Sequence, residues 1–294
     1  MNIQTEQQAY QHLFDIIVHL KETLSLYDPP RYCGVHDPVA THLGLTVREA
    51  ELDFDEGQYY ADKKLIILDS RVSDPDRLNF TFFHEITHHL VHEDGPLYSF
   101  LNEYAQSAKD FKDALEAFCN RGAAEFIIPS KDMRRHIRDQ GFSVLLIEQL
   151  EEIYPASKPA IAMQIAHCSS HECFVVVCEH GIVPKRSTSY QPMKSIAQPY
   201  ATPHQLYIQY TAKSPSIKKY AIGRYTVIPK GHIIDVAYRN QSHITGRDTI
   251  PFRSGRPWVV DCEATFYKGK VYAAFNITSP PVQSALQQSL FDDQ

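Results

Sequence analysis

Phe82-Phe83-His84-Glu85-Ile86-Thr87-His88-His89-Leu90-Val91-His92 is the most informative stretch of this 294-residue chain. It contains an HExxH motif at 84–88, on a segment whose apolar residues Phe80, Phe83, Ile86 and Leu90 recur at helical spacing. Side chains four apart on a helix share one face about one turn apart, so His84 and His88 can reach a single ion. Glu85 then projects beside them. An ion at the two histidines lowers the pKa of a water, and the carboxylate is the expected general base during attack on a carbonyl. The helix starts at a cap, Asp74 or Asp76, and follows the buried strand Leu65-Ile66-Ile67-Leu68.

A catalytic zinc needs a third protein ligand and an open position. His92 is on the same stripe but lies about 12 Å along the axis from His84, too far for ligands that all sit about 2 Å from one metal. His89 points off that face. Both read as outer-layer or surface histidines. The better candidate is Glu116, on the helical stretch Ala108–Ile128 that stops at Pro129. Asn120, four residues on, shares its face and could orient a ligand. Spacing alone leaves two readings of Glu116 open, ligand or exposed helix glutamate. The oxyanion also needs a donor, and Tyr98, Tyr104 and His89 are the candidates.

Outward from this centre, the first 130 residues read as α+β, with helices on a small sheet. An N-terminal stripe through Tyr10, Leu13, Phe14, Ile17, Val18 and Leu20 ends near Pro29-Pro30, and a short helix at 37–43 stops at Gly44. Thr46 to Asp69 reads as a strand pair with a turn at Asp55-Glu56-Gly57. Residues 131–171 read as a helical connector with helix-turn-helix rhythm, in the pieces 141–150 and 154–163. Its basic residues are matched by acidic ones, and the would-be recognition helix offers one lysine, Lys158, so it is read as structural rather than as a DNA reader.

The motifs together resemble the ImmA/IrrE metallopeptidases, bacterial zinc proteases that cleave helix-turn-helix repressors. The resemblance runs from Asp37 to Pro129. It rests on Leu43-Gly44-Leu45, Gly57, Asp62, Ile67-Leu68-Asp69, the aromatics before His84, His92, and Glu116 with Cys119-Asn120 through Ala123-Ala124-Glu125 to Pro129. Cys119, Gly122 and Phe126-Ile127-Ile128 depart from the family pattern, all at packing positions. The resemblance implies a zincin-like fold, zinc (or manganese) held by His84, His88 and Glu116, and a repressor of the XRE helix-turn-helix type as substrate. It also implies that the strand before the motif helix lines the cleft, so that Leu65, Ile66, Ile67 and Leu68 would pair with an extended substrate segment.

From Cys173 onward the chain becomes strand-rich. The runs are 174–177, 206–210, 225–228, 233–238, 258–260 and 271–275. The expected third region is therefore a β-rich α/β domain at 172–277. Layout alone resembles the radiation-response members of the family, which add a GAF-like sensor. Its charge stands out. Residues 1–180 carry 15 Lys/Arg against 29 Asp/Glu, whereas 181–280 carry 14 against 4. Aromatics interleave with these basic residues at Lys218-Lys219-Tyr220, Arg224-Tyr225, Phe252-Arg253 and Arg256-Pro257-Trp258. Stacking platforms beside a basic groove hold single strands without sequence preference. The expected activator is single-stranded DNA; the competing readings are a nucleotide or other anion, or a β-core with a solvated basic face.

Residues 278–294 read as a flexible tail after Pro280-Pro281. Its Gln287-Gln288-Ser289-Leu290-Phe291 resembles the pentapeptide by which bacterial proteins dock on the replication sliding clamp. Gln287, Leu290 and Phe291 would be the contacts.

Composition narrows the class further. Hydrophobic residues make up 43% and charged residues 22%, and no apolar run reaches the length of about 18 residues a membrane helix needs. The N-terminus lacks the basic start of a signal peptide. The six cysteines, in a chain this long, read as reduced thiols, so a cytoplasmic protein is expected. The reading is a site-specific metalloendopeptidase that switches on a DNA-damage, stress or mobile-element response. The competing class is a non-proteolytic regulator, an antitoxin-like partner or DNA-binding protein that keeps the fold.

Overall fold

Asp74 accepts hydrogen bonds from the N–H groups of Asp76 and Arg77, and Pro75 occupies the first turn, so the motif helix starts sharply. In the computed structural model this helix, α3 by chain order, spans Pro75–Glu93. It buries Phe82, Phe83, Ile86 and Val91 completely. The structure describes residues 3–184, 204–252 and 258–277.

Around α3 pack α1 (Glu6–Thr23), α4 (Gly95–Tyr104) and α5 (Ala108–Ile127), after the short α2 (Pro38–His42). A reciprocal capping box of Thr5 and Gln8 starts α1, and Ser107 caps α5 through the Asp110 N–H. The α3–α5 contact is tight. Phe83 stacks on Phe126 at 4.7 Å. A Cβ placed on Gly122 would lie 2.3 Å from Thr87 Cγ2, so only glycine allows this approach.

Three strands complete this region, β1 (Thr46–Ala50), β2 (Gly57–Tyr60) and β3 (Leu65–Asp69), in the order β1-β3-β2. β3 runs parallel to β1 and antiparallel to β2. The expected strand pair is thus a three-stranded sheet whose middle member is β3. Leu65 to Leu68 have neighbours on both sides and cannot take an added strand. That expectation is corrected: the open edges are β1 and β2, and β2 is the one that lines the cleft described below.

Next come α6 (Ser130–Gln140), α7 (Leu146–Glu151) and α8 (Lys158–Cys168). The chain divides into two compact units, residues 1–133 with 149–161, and 134–148 with 162–294. The second unit carries β4 (Cys173–Gly181), β5 (Gln205–Lys213), α9 (Ile233–Asn240), β6 (His243–Thr249), β7 (Val259–Tyr267) and β8 (Lys270–Asn276). The strands form an antiparallel sheet of order β5-β4-β8-β7-β6. Phe174, Val176, Val260, Ala273 and Phe275 share a core with Ile233, Ile234 and Ala237 of α9.

Residues 233–238 are therefore helix, not strand. His232 caps it by accepting the Ile234 N–H, and Gln241 ends it in the left-handed region at φ 50°. Ile233, Ile234 and Ala237 form its buried face. The expected strand at 225–228 shrinks to a single bridge between Tyr207 and Val227, because Tyr225 adopts φ 63°. The first unit is mixed helix and small sheet and the second is β-rich, an α+β chain overall. No described helix is long and apolar enough to cross a membrane.

Candidate active site

One turn of α3 separates His84 from His88, and their Nε2 atoms converge to 3.1 Å. α5 brings Glu116 opposite them, with carboxylate oxygens 3.2 Å from His84 Nε2 and 3.7 Å from His88 Nε2. Two ligands each about 2.0–2.2 Å from a tetrahedral metal lie roughly 3.3–3.6 Å apart, a range that the observed 3.1, 3.2 and 3.7 Å bracket within a few tenths of an ångström. Two imidazoles and a carboxylate are also the donor composition of catalytic zinc sites. These three residues fit a metal ion, and among the described residues they are the His, Cys, Asp or Glu group placed to hold one.

The electrostatics follow from burial. Desolvation pushes the Glu85 carboxyl up to about 7; the nearby His84 opposes this and Glu116 adds to it. Burial, aided by His84, lowers His88 to about 4, the neutral form a ligand requires. Glu116 is held below the usual carboxylate range, chiefly by its hydrogen bond to His84.

The group opens on a cleft of about 710 Å³. Along one side run Phe54 to Tyr60, ending in β2; along the other, Lys112, Glu116 and Asn120 of α5. Gly57 makes the approach of β2 to α3 feasible. A Cβ there would lie 2.6 Å from Thr81 Cγ2 and 2.9 Å from Glu85 Oε1. Phe54 is 96% exposed at the rim.

Residues 40–166 match the family model described as the IrrE N-terminal-like domain. The chain carries an IrrE N-terminal-like domain. Homology is distant but extends over most of the sequence. The radiation response metalloprotease IrrE of Deinococcus radiodurans is 22% identical over 82% of this chain and 71% of its own length. The protein of the same description from Deinococcus deserti is 22% identical over 79% of this chain and 78% of its own. A solved Mycobacterium tuberculosis transcriptional regulator superposes with a TM-score of 0.56 at 11% identity, covering 94% of this chain and 77% of that one, a likeness of fold.

Other expected residues fall unevenly. Asn120 lines the cleft with Glu116. His89 does not reach it: the ring is buried and its Nδ1 meets the Tyr59 hydroxyl at 2.9 Å. His92 sits against Tyr59 and Tyr98 at the surface. None of the three candidate oxyanion donors lines the cleft, since Tyr98 packs on Phe111 and Tyr104 on Phe100. Sequence reading missed Gly57 as a contact to Glu85, and Phe54 and Lys112 as rim residues. Gly57 read as a turn and as one position of the family resemblance, and nothing in one sequence marks a loop phenylalanine as a cleft wall.

In the second unit the basic and aromatic residues gather in two places. Exposed Lys218 and Lys219 precede Tyr220, whose ring lies 5.1 Å from Trp258, with Phe252 alongside. Arg224 instead covers Tyr225 and Tyr210 and donates to the Gln209 carbonyl. Arg253, Arg256, Gln287, Leu290 and Phe291 lie outside the described residues.

Proposed function

We propose that the chain is a zinc-dependent, site-specific endopeptidase that cleaves a helix-turn-helix repressor and so switches on a damage, stress or mobile-element response. The observation that carries this reading is the convergence of His84, His88 and Glu116 beside a buried Glu85 in an open cleft. His84, His88 and Glu116 would hold zinc, or manganese in its place, and the ion would supply Lewis acidity to polarise a scissile carbonyl and acidify water. Glu85, whose carboxyl is poised near neutrality, takes the proton of the attacking water. The free edge of β2 would align an extended substrate segment by strand pairing.

The second unit would act as a GAF-like sensor. Its Lys218–Lys219–Tyr220 loop beside Phe252 and Trp258 supports single-stranded DNA as the activator, held by stacking and charge. The tail's Gln287, Leu290 and Phe291 would dock on the sliding clamp, concentrating the enzyme at replicating DNA in the cytoplasm. Removing the last eight residues should then abolish clamp pull-down.

The decisive experiment is Glu85→Gln. Zinc content should be unchanged, while cleavage of the co-encoded repressor falls by about 10²–10⁴. Cleavage that survives the change would remove Glu85 from the mechanism. Zinc binding by wild type without any cleavage would favour the non-proteolytic regulator.

A further inference from the structure

The cleft has a direction. On one wall Gly57 approaches Thr81 and Glu85, while Tyr59 reaches His89 and His92, so β2 and α3 run the same way. Across from them α5 runs the opposite way, since Thr87 meets Gly122 and Phe83 meets Phe126. Lys112 stands one turn before Glu116 on α5 and so lies beyond the metal centre, towards the C-terminal end of α3. Phe80, one turn before His84, lines the other end, its ring 6.5 Å from that of His84. One end therefore offers an aromatic face and the other a cation.

Among the described residues Lys112 is the one lysine or arginine lining the cleft, and it is exposed, with no hydrogen bond or ion pair to them. The carboxylates of the cleft are engaged instead. Asp55 accepts from Gln58, Glu56 pairs with Arg77, and Glu85 and Glu116 serve the metal centre. The charge of Lys112 already registers there: Glu116 is held low chiefly by His84 and in smaller part by Lys112. An exposed helix lysine is ordinarily just solvated, but this one stands in the groove that a substrate has to occupy.

We propose that Lys112 selects an acidic substrate side chain, aspartate or glutamate, at the end of the cleft opposite Phe80. This assignment rests on the peptidase reading above and names part of its substrate. Phe80 and Lys112 each lie one turn from the His84–Glu116 pair, in opposite directions, so about 12 Å separates their levels. An extended chain at about 3.3 Å per residue spans that distance in three to four residues. The preferred segment then carries an apolar side chain and, three or four residues away, an acidic one, with the scissile bond between them. Such an exposed pair adds little affinity but discriminates sharply, because a like charge in the same place is repelled.

The test uses the full-length zinc-loaded Glu85→Gln chain, so that no peptide is cut. Fluorescent octapeptides blocked at both ends carry one phenylalanine and, three or four residues to either side of it, glutamate, glutamine or lysine. Titrated to millimolar concentration, the glutamate peptide of one chain direction should bind about three- to fivefold more tightly than its glutamine counterpart, and about tenfold more tightly than the lysine one. Lys112→Gln should erase this ranking and Lys112→Glu should reverse it, with zinc content unchanged. A glutamate peptide that binds no better than the glutamine one, or a ranking indifferent to Lys112, overturns the proposal. So does an equal loss for all three peptides, which would make Lys112 a general contact. A preference shown only by a glutamine peptide with a free C-terminus overturns it in favour of a terminal carboxylate. Binding is scored without cleavage, so failure of the repressor-cleavage reading would appear separately, as repressor left intact by the zinc-loaded wild-type chain.

Discussion

Replacing Gly122 with alanine tests whether the α3–α5 crossing sets the metal site. A methyl group there would sit 2.3 Å from Thr87 Cγ2, 2.7 Å from Thr87 Oγ1 and 3.1 Å from Thr87 Cβ. Comfortable carbon–carbon contact needs about 3.5–4.0 Å, so the shortest separation must open by more than ~1 Å. Thr87 could rotate, giving up the 2.7 Å bond its hydroxyl donates to the Phe83 carbonyl. Otherwise α5 withdraws and takes Glu116 with it. Overpacking of this kind costs about 1–3 kcal/mol, and the better helix propensity of alanine returns about 1 kcal/mol. The net loss is about 0–2 kcal/mol, and at about 2–4 °C per kcal/mol for a chain of this size Tm should fall by up to about 8 °C. Zinc affinity, measured by competition with a chelator, should weaken as well. Adding Thr87→Ala removes the two shortest contacts and leaves only the 3.1 Å one, so the double variant should recover most of the loss relative to Thr87→Ala alone. A more stable Gly122→Ala with unchanged zinc affinity would refute the argument, as would a double variant no better than the single.

Glu116→Gln should keep the fold and lower zinc affinity by more than the roughly 10–100-fold typical of outer hydrogen-bond partners; equilibrium dialysis reads this directly. Phe54→Ser, at the exposed cleft rim, should raise KM for the repressor proposed as substrate by about three- to tenfold with kcat unchanged, measured by initial rates. Glu125 is buried and accepts bonds from the Ser130 N–H and hydroxyl, and desolvation raises its pKa above the ordinary range. The folded state therefore holds that proton to higher pH than the unfolded chain, where the group titrates near about 4.3. Wild type should lose stability relative to Glu125→Gln as pH rises from there through the folded pKa. Urea titrations of both proteins across that range should show the gap changing in this sense and levelling off at both ends.

The parts of the molecule legible in sequence are those governed by local rules. Four-residue spacing places His84 and His88 on one face, and caps at Asp74 and Ser107 start helices where apolar periodicity says they should. Glu116 was one of two open readings on spacing, settled as a neighbour of the histidines by the way α5 crosses α3. Long-range pairing was not legible. Nothing local says that β1 pairs parallel to β3, with β2 between them in sequence, and that pairing moves the open edge on the cleft side from Leu65–Leu68 to Gly57–Tyr60. Ile233-Ile234-Asp235-Val236 has strand composition, but the cap at His232 and the sheet beneath make it α9. β6 escaped notice because His243-Ile-Thr-Gly-Arg-Asp-Thr249 is an edge strand, largely exposed, with no buried face to impose alternation.

The two histidines and the glutamate belong to helices joined by α4, so an ion shared among them ties together stretches of chain that would otherwise be free to part. Such a tie works like a reversible cross-link: an ion that binds only the folded form adds about 2.7 kcal/mol at a hundred times its dissociation constant. Scarcity of the metal would then do more than silence the enzyme. It would leave α5 less firmly anchored and the chain a better meal for cellular proteases, so that the quantity of protein, and not just its activity, tracks the supply of metal.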